Sequence, residues 1–322
     1  MLAAILVFCL GSVPVLASTS YRINNTFIGN DFFTWNWETF SDPTHGRVNY
    51  VDKATAMATN LSLVSETTRN FIMRADTQNT VLPGQRGRNS VRITSPSAYG
   101  DSVLLLDLWH MPTGCATWPA WWTVSKTGPW PHGGEIDIIE GVNRNVRNLA
   151  SLHTTANCSM PKTREQKGLT VSTDCDASYN DNQGCGVEFN KTSSYGDGFN
   201  SNGGGYYAMR RGTRGIDIWF WPRDDPELPR QLSQRLPDVN PDIWGDPDAT
   251  FPTGACNCDP FDDHSIVFDL TFCGDWAGSA YPASGCPSDC SSFVDNNPKE
   301  FVEAYWEVVA LSVYVPNLNG TQ

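Results

Sequence analysis

An all-β fold is predicted by three features of this 322-residue chain. Apolar residues gather in short runs, VLLLDLW (103–109), HSIVFDLTF (264–272) and YWEVVALSVYV (305–315), of strand rather than helix length. The 27 glycines and 21 prolines are scattered between such runs, where they end each one in a turn. Only DKATAMATNL (52–61) has the alanine spacing of a helix, and it is too short to support an alternating helix–strand fold. With 40% apolar and 18% charged residues the chain can bury a substantial core in one or two domains, and it shows neither an internal repeat nor a linker. For an all-β domain the length is generous. The surplus is assigned to loops, in the Gly/Asn/Ser-rich stretch Thr173 to Gly205 and the Pro/Asp-rich stretch Pro222 to Asp263.

At the amino terminus, MLAAILVFCLGSVPVLA (1–17) is an apolar run ending in a small residue. It reads as a cleaved signal peptide, too short for a membrane anchor, and leaves residues 18–322 as one mature domain that is secreted and extracellular. The cysteines fit that compartment. Of ten, Cys9 falls in the leader, so Cys115, Cys158, Cys175, Cys185, Cys256, Cys258, Cys273, Cys286 and Cys290 remain, mostly as disulfides with one left over and the connectivity open. A zinc site at Cys256, Cys258 and His264 lacks a second paired-cysteine half. Sequons at Asn24, Asn60, Asn157, Asn190 and Asn319 add weight to secretion.

A net charge of −13 argues against nucleic acid and anionic membranes as partners, because both need basic surface. A neutral polysaccharide meets no such repulsion, and its pyranose faces stack on flat aromatic rings. The chain has 12 tryptophans. Trp109, Trp118, Trp121, Trp122 and Trp130 all precede the most acidic strand. Trp121, Trp122, Trp219 and Trp306 are assigned to core packing.

That strand lies in HGGEIDIIEGVN (132–143), where three carboxylates interrupt an apolar run. Side chains alternate along a strand, so Glu135 and Asp137 share one face and Ile136 and Ile138 the other. Strict alternation would turn Glu140 into the core. A buried, unpaired carboxylate is costly, so a β-bulge is expected near Ile138 or Ile139, returning Glu140 to the face of Glu135. The two glutamates then lie roughly 13 Å apart along the backbone, a gap their side chains can largely close. Carboxyl groups about 5 to 5.5 Å apart suit a retaining glycosidase, and Asp137 between them can hold one ionised while the other stays protonated.

The segment GEIDIIEG (134–141) resembles the E-x-D-x-x-E active-site strand of glycoside hydrolase family 16, in the bulged form of laminarinases and related endo-β-1,3(4)-glucanases. DPTHGRVNYVD (42–52), GRNSVRI (87–93), HMPTGCATWPAWW (110–122), LHTTANC (152–158), NGGGYYAM (202–209) and LTFCGDWAG (270–278) are similar to secreted fungal laminarinases, in the same order. The likeness covers essentially the whole mature chain. It implies a β-jelly-roll sandwich of concanavalin-like kind with a concave substrate cleft, Glu135 as nucleophile, Glu140 as acid/base and Asp137 as assistant. It further implies sugar platforms at Trp118, Trp130 and Trp276, and β-1,3 or mixed-linkage β-1,3/1,4-glucan as substrate.

Two more residues enter as candidates. His153, in LHTTAN, follows the acidic strand by about one hairpin length, which would bring its imidazole beside the carboxylates. Asn89, in GRNSVRI, is taken as a substrate-binding residue. No G-x-S-x-G elbow is present, and the glycines at 203–205 lack the lysine and helix of a phosphate loop. The expectation is thus a monomeric retaining endo-glucanase with no cofactor and no metal at the site. A glucan transglycosylase and a non-catalytic carbohydrate-binding jelly roll are the alternatives.

Overall fold

The computed structural model describes residues 20–252, 254, 256 and 261–317. The leader, Cys258 and Asn319 lie outside them. Two antiparallel sheets stack face to face. One runs in the order Asp238–Val239, Tyr21–Phe27, Tyr305–Pro316, Ser102–His110, Gly205–Gly212, Gly215–Pro222, Ala249–Pro252, with Phe71–Arg74 paired to Tyr305–Pro316 and Ser62–Val64 paired to Phe71–Arg74. The other runs Leu169–Thr170, Cys185–Glu188, Leu149–His153, Glu135–Glu140, Thr117–Ser125, His264–Phe272, Arg92–Tyr99, Asn36–Trp37. The expected sandwich is present.

The core fills the gap between the sheets. Leu104, Leu106 and Leu108 meet Ile136, Ile138, Leu152, Ile266 and Phe268 from the opposite layer. Val103 and Leu105 point the other way, into a second cluster with Trp219, Trp221, Leu232 and Trp244. Ser102–His110 is therefore covered on both faces, which explains why VLLLDLW is a continuous apolar run rather than an alternating one. Its outer cover comes from the stretch assigned to loops, which also contains the strands Asp238–Val239 and Ala249–Pro252 and the helix Arg230–Ser233. The other such stretch likewise contains the strand Cys185–Glu188 and the helix Gly196–Ser201. Both are more ordered than the sequence indicates.

The predicted helix forms at Lys53–Ala58, where Asp52 caps its amino end by accepting from the Thr55 backbone N–H. A helix the sequence did not announce, Cys290–Asn296, is capped in the same way by Asp289. It is tied down by the Cys273–Cys290 disulfide, beside Cys115–Cys286, in a third cluster built on Leu270, Phe272, Phe293 and Phe301. Cys158–Cys256 and Cys175–Cys185 complete the pairing of eight cysteines. Zinc at Cys256 is thereby excluded, and both His264 nitrogens are engaged, by Thr123 Oγ1 and the Gly133 carbonyl.

Candidate active site

The site is built on Glu135–Glu140, an inner strand of its sheet. Pairing with Thr117–Ser125 runs Asp137 to Trp122 and then skips one residue to set Ile139 opposite Trp121 and Glu140 opposite Ala120. Pairing with Leu149–His153 slips in the same interval. This is the expected bulge. Ile136, Ile138 and Ile139 are all fully buried in the core, whereas Glu135 and Glu140 keep partial exposure on the opposite face. The bulge frees backbone groups, and the wholly buried Asn148 takes them up. Its Nδ2 donates to the Ile138 carbonyl at 2.8 Å and its Oδ1 accepts from the Glu140 N–H at 3.0 Å. Asn148 was missed at the sequence level, since nothing local marks a side chain that reaches back across a hairpin.

Each glutamate is met by an indole. Trp130 Nε1 donates to Glu135 Oε2 and Trp118 Nε1 donates to Glu140 Oε1, both at 2.8 Å. Trp130 is 48% exposed on the loop leading into the strand. Trp276 meets Trp118 edge-on at 5.7 Å between ring centroids. Asn143, just past the acidic strand, ties the start of the Trp118 strand to the segment carrying Trp276: its Oδ1 accepts from the Ala116 N–H, and its Nδ2 donates to the Ala277 carbonyl.

His153 sits directly across the strand pair from Glu135. Its Nε2 lies 3.4 Å from Asp137 Oδ2, and its Nδ1 lies 2.8 Å from Asn182 Oδ1. One donor atom each from Glu135, Asp137 and His153 fall within 4.8 Å of one another. Burial pulls the imidazole down, but contact with Asp137 and the charges of Glu135 and Glu140 carry it up to about 10. It is therefore an imidazolium at neutral pH. Burial pushes Glu135 up to about 8, with Asp137 adding to the rise and His153, Trp130 and Arg92 opposing it. Glu140 is pushed well above the carboxylate range by burial and by Asp137, against Trp118 and His153. The His153 cation stands across the strand pair from Glu135 and opposes the rise of both carboxyls.

Asn89 lies on Arg88–Ser90, paired in parallel with Val48–Tyr50, and its Oδ1 accepts from Asn49 Nδ2 at 2.7 Å. Among the described residues its hydrogen bonds do not reach the acidic row. Trp122 departs from its core assignment. It is half-buried, its Nε1 donates to Asp269 Oδ2 at 3.1 Å, and Arg92 lies over its ring at 4.9 Å, while Trp121, Trp219 and Trp306 are core. Arg92 also lies over Phe40 and is 3.5 Å from Asp269, so this patch extends the site across three strands. Sequence reading did not single out Asp269, which sits within an unbroken apolar run. His110 is structural, stacked on Tyr305 and bonded to its carbonyl and to Glu303.

Residues 35–314 match the family model for the XgeA-like catalytic domain of glycoside hydrolase family 16. The chain is 41% identical over 307 residues to a probable glycosidase of Schizosaccharomyces pombe, covering 94% of this chain and 71% of that protein. It is 38% identical over 308 residues to a probable endo-1,3(4)-beta-glucanase of Aspergillus fumigatus, covering 92% of this chain but only 46% of that protein. The chain thus spans about half the length of that relative. Among solved structures it is similar to laminarinase 16A of Phanerochaete chrysosporium with beta-glucans in donor and acceptor sites, at TM-score 0.89 and 45% identity over 92% of this chain and 99% of that one. It is also similar to an elongating family 16 beta-1,3-glucosyltransferase, at TM-score 0.83 and 37% identity over 92% of this chain and 100% of that one.

Proposed function

Because the chain belongs to glycoside hydrolase family 16, we propose that it is a retaining endo-β-glucanase acting on internal β-1,3 and mixed-linkage β-1,3/1,4 bonds by double displacement. The observation that carries the reading is the bulged acidic row itself: Glu135 and Glu140 share one face, an indole N–H meets each, and the His153 cation stands opposite Glu135. In the first step Glu140 protonates the leaving glycosidic oxygen while Glu135 attacks the anomeric carbon. In the second, Glu140 takes a proton from water as it attacks the glycosyl-enzyme, and Glu135 leaves. Asp137 and His153 set the charge around the nucleophile. Trp118, Trp130 and Trp276 offer rings for sugar faces, and the neutral polymer suits a chain of charge −13. Eight paired cysteines suit secretion into an oxidising space.

Transfer to a second sugar in place of water is the other reading, favoured by the likeness to the elongating glucosyltransferase. Early-time proton NMR on laminarin tests both. Initial β-anomers with shortened chains are expected, and lengthened products would shift the assignment to transfer. α-Anomers appearing first would overturn the nucleophile assignment.

A further inference from the structure

We propose that the disulfide-closed loop Cys175–Cys185 is a positioning device for the catalytic row, in which Asn182 grips His153 by Nδ1 so that Nε2 is aimed at Asp137. The inference rests on the glucanase reading and adds to it a residue far from the acidic strand in sequence.

Three separate features shape the loop to this end. Cys175 and Cys185 close it with a separation of ten residues. Its tip, Asn180, Asp181 and Asn182, holds three consecutive left-handed conformations, with φ of 48°, 53° and 61°. Asn and Asp tolerate that region best among residues with side chains, and such a run persists only where its surroundings impose it. Gly184, also left-handed at φ 63°, packs against the imidazole so closely that a Cβ there would stand 2.7 Å from His153 Cε1 and 2.6 Å from the Leu152 carbonyl. The loop thus clears space for the ring and supplies its partner.

The hydrogen bonding fixes what that partner does. At 3.4 Å His153 Nε2 and Asp137 Oδ2 stand at ion-pair distance, an attraction that a proton on that nitrogen supplies. Asn182 Oδ1, 2.8 Å from the other nitrogen, accepts the second proton of the imidazolium. The titratable groups acting on this ring are Asp137, Glu135 and Glu140, all from the neighbouring strand. On its far side the loop supplies a neutral amide. Asn182 therefore orients the cation and, as an acceptor, favours its charged form.

Asn182→Gly separates this role from a general structural one, because glycine takes the left-handed conformation freely and only the amide is lost. The wild type is assayed first on laminarin; inactivity there would count against the glucanase reading, not the loop. With an active wild type, Asn182→Gly is expected to lower kcat about tenfold with little change in KM. Loss of a hydrogen bond to a charged group should also lower the His153 pKa, followed by imidazole NMR, by about one unit. Asn182→Asp, which restores an acceptor, should recover most of kcat and hold the His153 pKa at or above the wild-type value. An unchanged His153 pKa and kcat in Asn182→Gly, or equal impairment of both variants, would overturn the proposal.

Discussion

Replacing Trp130 by phenylalanine removes the indole N–H that donates to Glu135 Oε2 at 2.8 Å and keeps an aromatic ring. Trp130 is 48% exposed, so the change should cost the fold little. A hydrogen bond to a charged group contributes about 1.5 to 3 kcal/mol, and the half-solvated donor argues for the lower end. About 1.4 kcal/mol corresponds to one pKa unit. The direction follows from which form the donor favours: the indole stabilises ionised Glu135, so its loss raises a group already pushed up to about 8. The nucleophile acts only when ionised. The acid limb of kcat/KM on laminarin should therefore move upward by about one pH unit, with roughly tenfold loss below both limbs and convergence above them. The limb reports the coupled row rather than Glu135 alone, but its displacement carries the same sign. A loss equal at every pH, with the limb unmoved, would reduce Trp130 to a sugar platform and refute its role in ionising the nucleophile.

Three further outcomes follow from the same geometry. Glu135→Gln should abolish laminarin turnover, by about a thousandfold or more, while a glucan-affinity gel still retards the protein; turnover near wild type would remove Glu135 as nucleophile. Asn148→Leu leaves the Ile138 carbonyl and the Glu140 N–H without their partner, so urea unfolding should report a loss of about 2 to 5 kcal/mol, and kcat should fall as Glu140 loses its support. Glu135 is raised to about 8 and His153 to about 10, so between about pH 7 and 9 the native state binds more protons than the unfolded chain. Stability should accordingly decline across that window, and a Tm that is flat or rises there would contradict the burial of the row.

What the sequence made legible, and what it hid, divides along one physical line. The bulge could be read because period-2 alternation sets a rule that Glu140 would otherwise break at the cost of a buried, unpaired carboxylate. His153 could be read because hairpin geometry alone brings it opposite Glu135. The runs at 103–109, 264–272 and 305–315 became the strands Ser102–His110, His264–Phe272 and Tyr305–Pro316 because apolar content of strand length needs no distant partner to be recognised. Asn148, Asn182 and Asp269 obey no such local rule. Each is a polar residue whose neighbours in sequence do not reveal its partner: a bulge across a hairpin, an imidazole 29 positions away, and an indole on an adjoining strand. Trp122 was misplaced for the related reason that alternation gives a face but not what covers it, and here the covering groups, Arg92 and Asp269, come from two other strands. The cover over Val103 and Leu105 arises the same way, from Leu232 and Trp244 in a stretch with no periodic pattern. The acids that would perform the chemistry were thus visible because strand periodicity constrains them, whereas the groups that tune them depend on contacts the fold creates. Perturbing the second set should change pH dependence and orientation before it abolishes activity, which is the distinction the Trp130 and Asn182 variants measure.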